Sequence, residues 1–207
     1  MTGRRGLPPA QNPVVFAPVK LFCCHEVDLP ADRYWEILHH PDYEARVAAA
    51  IGLHAYEELE RREEPEAVYR RIRVGVDLPD ALQALLRRVA RVESAGYVEE
   101  QWRSRKKREV RWRMTPGVLA DRIHVEGTVR VEPRGAKRCA RVLDGVVQVG
   151  IFGVGGLVER SAVAMATDAY AKGAELAVVA SDEIARGERG AASRTAAGGG
   201  GESCDCG

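Results

Sequence analysis

The run Gly145-Val146-Val147-Gln148-Val149-Gly150-Ile151-Phe152-Gly153-Val154-Gly155-Gly156 joins two kinds of periodicity. Its first part is an apolar, strand-like segment and its second a cluster of glycines. From Leu157 to Ile184 the apolar residues then recur at helical steps, so that Val158, Ala162, Met165, Ala169, Leu176 and Val179 share one face. That face is made of small side chains (Ala162, Ala166, Ala169, Gly173 and Ala177), which leave a groove and predict close packing or a cavity beneath it. A strand, glycines and a helix in this order also describe a phosphate-binding loop. A dinucleotide fold, however, needs a further parallel strand ending in an acidic residue, and no Gly-Lys-Ser/Thr follows these glycines either. The glycines are therefore read as a sharp strand-to-helix turn that needs positive φ.

Working back from this run, the chain is strand-rich. Strand patterns cover Cys139–Val149, Arg122–Glu132, Glu109–Thr115 and Tyr97–Arg103, separated by turn formers such as Thr115-Pro116-Gly117 and Glu132-Pro133-Arg134-Gly135. Ala67 to Leu78 alternates, with Val68, Ile72, Val74, Val76 and Leu78 on one face and Arg70 breaking the row near a rim. No helix separates the later strands, so the sheet is expected to be antiparallel. Pro79-Asp80 starts a short amphipathic helix carrying Leu82, Leu85, Leu86 and Val89. Earlier still, a strand at Val19–Val27 gives way to two short helices, one entered through Leu29-Pro30-Ala31-Asp32 and one through Pro41-Asp42, the second closed by Gly52. The fold class expected is α+β: an antiparallel sheet of about seven strands covered by one long C-terminal helix. Residues 1–18 read as a disordered lead, 19–185 as the folded domain and 186–207 as a flexible Gly/Ala/Ser-rich tail.

The totals fit that picture. A chain of 207 residues, 45% hydrophobic and 29% charged, suits one domain with a sizeable core. Its 31 basic and 30 acidic residues nearly cancel, so a nucleic-acid or membrane partner has to be argued from local patches. No apolar run approaches a membrane span, and the five cysteines show no disulfide spacing, which points to a reducing compartment. The expected localisation is cytoplasmic, with organelle import through the basic N-terminus as the alternative. Cys204 and Cys206 offer a lone thiolate pair with no further ligands, so neither a metal nor a cofactor is expected.

Individual residues commit the chain to little chemistry. His39-His40 with Asp42 could suggest a metal, but adjacent helical histidines point about 100° apart and surface solvation is the simpler reading. Glu159 falls in the first turn of the long helix, where a carboxylate favours the helix dipole. No serine or cysteine is paired with a base by recognisable spacing, so no catalytic residue is assigned. The strongest charge feature is Arg103-Ser104-Arg105-Lys106-Lys107-Arg108, joined by Arg111 and Arg113 at a hairpin tip. It reads as a solvated turn with edge-protecting charges, or as a contact for anionic membrane lipids through Arg105, Lys106, Lys107 and Arg108. Nucleic acid is a weaker fit, because alternation places Trp102 and Trp112 inward.

The order of elements, with Val27-Asp28-Leu29-Pro30-Ala31-Asp32-Arg33-Tyr34-Trp35 and the glycine turn followed by Glu159, resembles the START-like superfamily, also called SRPBCC, polyketide-cyclase-like or helix-grip. The Leu78-Pro79 segment with Leu82, Leu85 and Leu86 is similar to a START-like family of unknown function. The resemblance spans about residues 19–184. It implies a curved sheet around the long helix and an apolar cavity between them. The cavity would be lined by Trp112, Met114, Ile123, Val125, Phe152, Val158, Ala162, Met165, Ala166 and Ala169, with Gly150, Gly153, Gly155 and Gly156 as its gate. The function it implies is binding or transfer of an apolar small molecule, above all a lipid, by a monomer. A cyclase- or hydratase-type enzyme using Glu159 or Arg70 in that cavity, and an interaction module using the basic hairpin, remain the alternatives.

Overall fold

A computed structural model describes residues 17–90, 95–151 and 153–198. In chain order the elements are β1 (Val19–Val27), α1 (Ala31–Ile37), α2 (Pro41–Ala50), β2 (Leu53–Glu63), β3 (Ala67–Val76), α3 (Asp80–Ala90), β4 (Ala95–Ser104), β5 (Glu109–Pro116), β6 (Ile123–Pro133), β7 (Cys139–Val149) and α4 (Gly155–Gly198). The strands form one curved antiparallel sheet in the order β1-β7-β6-β5-β4-β3-β2. β2 to β7 follow one another as a meander, while β1 returns to pair with β7. Strands adjacent in sequence, β1 and β2, therefore lie at opposite edges, and α1 and α2 carry the chain between them.

Local chemistry explains these boundaries. Pro30 precedes α1 in an extended conformation, and Pro41 occupies the start of α2, where its missing N–H costs nothing. His40 caps α2 by accepting the Asp42 N–H on Nδ1 at 3.3 Å. Gly153 adopts φ +78° in the turn before α4, a conformation few other residues take. Glu159 reaches back from the first turns of α4 and accepts the Val149 N–H at 2.9 Å, locking the end of β7 to the helix.

The inner face of the sheet is bent around a glycine notch. Gly127 and Gly145 face each other across β6 and β7, and a Cβ at either would come within 2.9 Å or 3.3 Å of Trp112 Cζ2. Only hydrogen at both positions lets the indole lie against the backbone. Trp112 joins Leu21, Cys23, Val129, Leu143, Val147 and Val149 in one core cluster, against which the first half of α4 packs. A second cluster unites α1 and α2 with Val27, Val131, Cys139, Ala177, Ala180 and Ile184.

Three details depart from the sequence reading. Helix α4 continues to Gly198, so residues 186–198, expected to be flexible, are helical; alanine, the strongest helix former, recurs through that stretch. Trp102 faces outward, because β4 turns Tyr97, Glu99 and Gln101 inward. Its ring lies 5.5 Å from Tyr69 with the Arg111 guanidinium 4.8 Å above it. Arg70 is buried instead of lying on a rim. The lead before residue 17, the cysteines Cys204 and Cys206, and Phe152 fall outside the described residues.

Candidate functional site

Between the sheet and α4, and closed on one side by α2, lies a cavity of about 570 Å³. Apolar side chains dominate its wall: Val74 and Val76 from β3, Trp112 and Met114 from β5, Val125 from β6, Leu143 and Val147 from β7, with Val47 and Ile51 from the α2 end. Helix α4 contributes Ala162, Met165, Ala166 and Ala169. Asp168 and Lys172 of the same helix also border the cavity and are exposed, which marks where it meets solvent. Lys172 Nζ donates to the Ala50 carbonyl at 3.2 Å, tying α4 to the end of α2.

Trp112, Met114 and Val125 thus line the cavity from the sheet, and Ala162, Met165, Ala166 and Ala169 line it from α4. Ile123 and Val158 lie outside it, in the packed cluster where β7 meets α4. Gly150, Gly153, Gly155 and Gly156 shape the turn into α4 and do not line the cavity. At Gly155 a Cβ would meet the Val149 carbonyl oxygen at 2.5 Å, so close packing of this turn on β7 is what the glycine permits.

One end of the cavity is polar, and sequence reading missed most of it. Tyr43, Glu99, Gln101, Arg141, Tyr170 and His39 all reach it. His39 is not a surface residue: its imidazole stands edge-on to Trp35 at 4.6 Å, with Nε2 buried and unpartnered. Burial, reinforced by the positive charges of Arg103, Arg70, Arg141 and Arg61, pushes its pKa down to about 2, so the ring is neutral at ordinary pH. Burial raises the pKa of the Glu99 carboxyl, against the opposing pull of the Gln101 amide, which donates to it at 2.7 Å. Burial likewise raises the Tyr170 phenol, well above its ordinary range.

Two inward-facing arginines near this end are treated differently. Arg70 donates to both carboxylate oxygens of Glu44 at 2.6 and 3.0 Å and to Glu58 at 2.7 Å. That clasp binds α2 to β2 and β3 and holds the cavity wall in place. Arg141 has no carboxylate partner among the described residues. Its guanidinium lies 4.0 Å over the Tyr170 ring, its Nε is buried and unpartnered, and the phenols of Tyr34 and Tyr43 stand beside it. Gly173 is the point of closest approach on α4, where a Cβ would come within 2.9 Å of Arg141 Nη1, and its carbonyl accepts the Tyr43 hydroxyl at 2.7 Å. A sequence signal existed: period two puts Arg141 in the inward row with Cys139, Leu143, Val147 and Val149.

The basic hairpin is paired with carboxylates of the β2–β3 turn and α1. Arg105 pairs with Glu63, Lys106 with Glu66 at 2.7 Å, and Arg108 with Asp32. Glu159 and Arg70, the polar groups expected in the cavity, do not line it. Among the described residues no group of His, Cys, Asp and Glu is arranged to hold a metal, and no helix is long and apolar enough to cross a membrane.

A sheet curved around a long C-terminal helix, with two short helices after its first strand, is the helix-grip fold. Solved structures share the fold. TTHA0849 from Thermus thermophilus superposes with a TM-score of 0.57 at 16% identity, covering 78% of this chain and 98% of that one. The Zhui aromatase/cyclase from Streptomyces sp. R1128 gives 0.55 at 18%, over 78% and 96%. Norcoclaurine synthase from Thalictrum flavum gives 0.51 at 19%, over 86% and 96%. At such identities the likeness is one of fold. No curated protein matches the chain in sequence. The family model described as "Protein of unknown function (DUF2505)" matches residues 24–179, and the chain belongs to that family.

Proposed function

We propose that the protein binds or carries an apolar small molecule of lipid size in the cavity between the sheet and α4. The observation that carries this reading is the cavity itself: about 570 Å³, within the range of small-molecule sites, with an apolar wall and a few polar groups gathered at one end. At the ~30 Å³ that a water molecule occupies in the liquid, this is room for roughly 20 non-hydrogen atoms. Removing roughly 400 Å² of apolar ligand surface from water gives about 10 kcal/mol before the costs of association, enough to leave micromolar binding. Native mass spectrometry of protein purified from a lipid-rich lysate tests it. A bound apolar mass that is lost on denaturation is the expected result; repeated recovery of empty protein that also fails to take up a neutral fluorescent probe overturns it.

A second reading rests on Glu99. Its carboxyl reaches the cavity, burial raises its pKa, and a group so tuned serves as a general acid or base toward a bound ligand. Glu99→Gln separates the two: a carrier keeps its ligand chemically unchanged with or without the carboxyl, whereas an enzyme converts it and loses that conversion in the variant.

A further inference from the structure

Charge is distributed unevenly around the cavity. Arg70 is fully compensated by Glu44 and Glu58. Arg141 lines the cavity itself, yet among the described residues it has an aromatic face, phenols and an orphaned Nε in place of a carboxylate. A guanidinium does not lose its proton in a protein, so it cannot escape the cost of burial by neutralising. The polar groups around it do not supply the missing negative charge. Tyr43 already donates to the Gly173 carbonyl, and Glu99 accepts from Gln101 without making an ion pair to Arg141. A cation without a carboxylate partner on the wall of an apolar space is the complement of an apolar molecule that ends in an anionic oxygen group.

Resting on the ligand-binding reading above, we infer that the cavity selects apolar carboxylic acids, with the ligand carboxylate paired to Arg141 and its hydrocarbon part lying along Trp112, Val147 and Ala166. Arginine suits this task because its planar fork matches a carboxylate, and a pair formed away from water is stronger than one at the surface. The ligand then supplies the counter-charge that the protein lacks. Tyr170 lies against the face of Arg141, and Gly173, having no side chain, leaves room for its Nη1.

The experiment compares dodecanoate, dodecanol and methyl dodecanoate as displacers of N-phenyl-1-naphthylamine, a neutral probe, from the full chain. Wild-type protein is expected to bind the acid about 10- to 150-fold more tightly than the alcohol or the ester, the worth of a charge-assisted hydrogen bond. Arg141→Met should erase that preference, and Arg141→Lys should keep part of it. Equal binding of acid and alcohol by the wild type overturns the inference and leaves the apolar cavity standing. So does an unchanged acid preference in Arg141→Met. Failure of the probe and all three compounds to bind removes the ligand-binding reading, and this inference with it. The wild-type comparison decides the matter even if the methionine variant does not fold.

Discussion

Replacing His39 by glutamine should flatten the acid side of the stability curve. In the folded protein the imidazole is held neutral, first by burial and then by the surrounding guanidiniums, with a pKa of about 2 against an ordinary 6.5. Below pH 6.5 the unfolded chain therefore takes up a proton that the folded chain refuses, so stability rises with pH and falls as acid is added. Each pH unit in that window costs about 1.4 kcal/mol, so the loss between pH 6.5 and 4.5 is about 2–3 kcal/mol from this one residue. Glu99 acts in the opposite sense. Its raised folded pKa means that the unfolded state gives up its proton first, so its contribution falls as pH rises above 4.5. The assay is urea unfolding across this range for wild type, His39→Gln and Glu99→Gln. The slope of stability against pH should drop by about one proton in His39→Gln and steepen in Glu99→Gln. Parallel slopes for wild type and His39→Gln would refute the placement of a neutral histidine on the cavity wall.

Three further outcomes follow from the packing. Arg70→Met leaves Glu44 without its partner, while Glu58 keeps Arg61 at 2.9 Å; removal of one member of a buried ion pair costs about 3–5 kcal/mol, and the low end is expected because only one carboxylate is orphaned. Chemical denaturation measures it, and a loss below about 1 kcal/mol would mean that the clasp does not hold α2. Glu159→Ala strips the buried Val149 N–H of its acceptor and should cost about 1–3 kcal/mol, whereas Glu159→Gln, which keeps an oxygen there, should cost much less. Gly127→Ala forces a Cβ to within 2.5 Å of the Asp144 carbonyl oxygen and 2.9 Å of the Trp112 ring, so a loss of about 1–3 kcal/mol is expected, with a shift in tryptophan emission.

Much of the fold was legible because it rests on periodicity. The small-residue face of α4, the glycines before it and the alternating runs of β3, β5, β6 and β7 each report their surroundings locally. The failures share a cause. Strand β4 turns Tyr97, Glu99 and Gln101 inward and Trp102 outward, an inversion that hydrophobic alternation misreads because the space inside is partly polar and the outer ring is covered by Arg111 and Tyr69. His39 follows the same logic, since a polar residue at the end of a short helix carries no local mark of facing a cavity. The pairings of Arg105, Lys106 and Arg108 depend on the β2–β3 turn and on α1, segments remote in sequence. The gate expected at Gly150–Gly156 did not become part of the cavity wall, because glycine signals a tight turn whether or not a ligand passes it.

The most direct measurement of ligand binding under α4 is the affinity of N-phenyl-1-naphthylamine for wild type and for Ala166→Trp. Ala166 lines the cavity from α4, and an indole placed there occupies space that a ligand would otherwise fill. If the ring displaces about 150 Å² of ligand contact, the loss is about 4 kcal/mol, a few hundred-fold in affinity. Micromolar binding by the wild type and a loss of that size in the variant are expected, with circular dichroism and melting temperature little changed. Equal affinity in the two folded proteins would contradict a binding site beneath the helix.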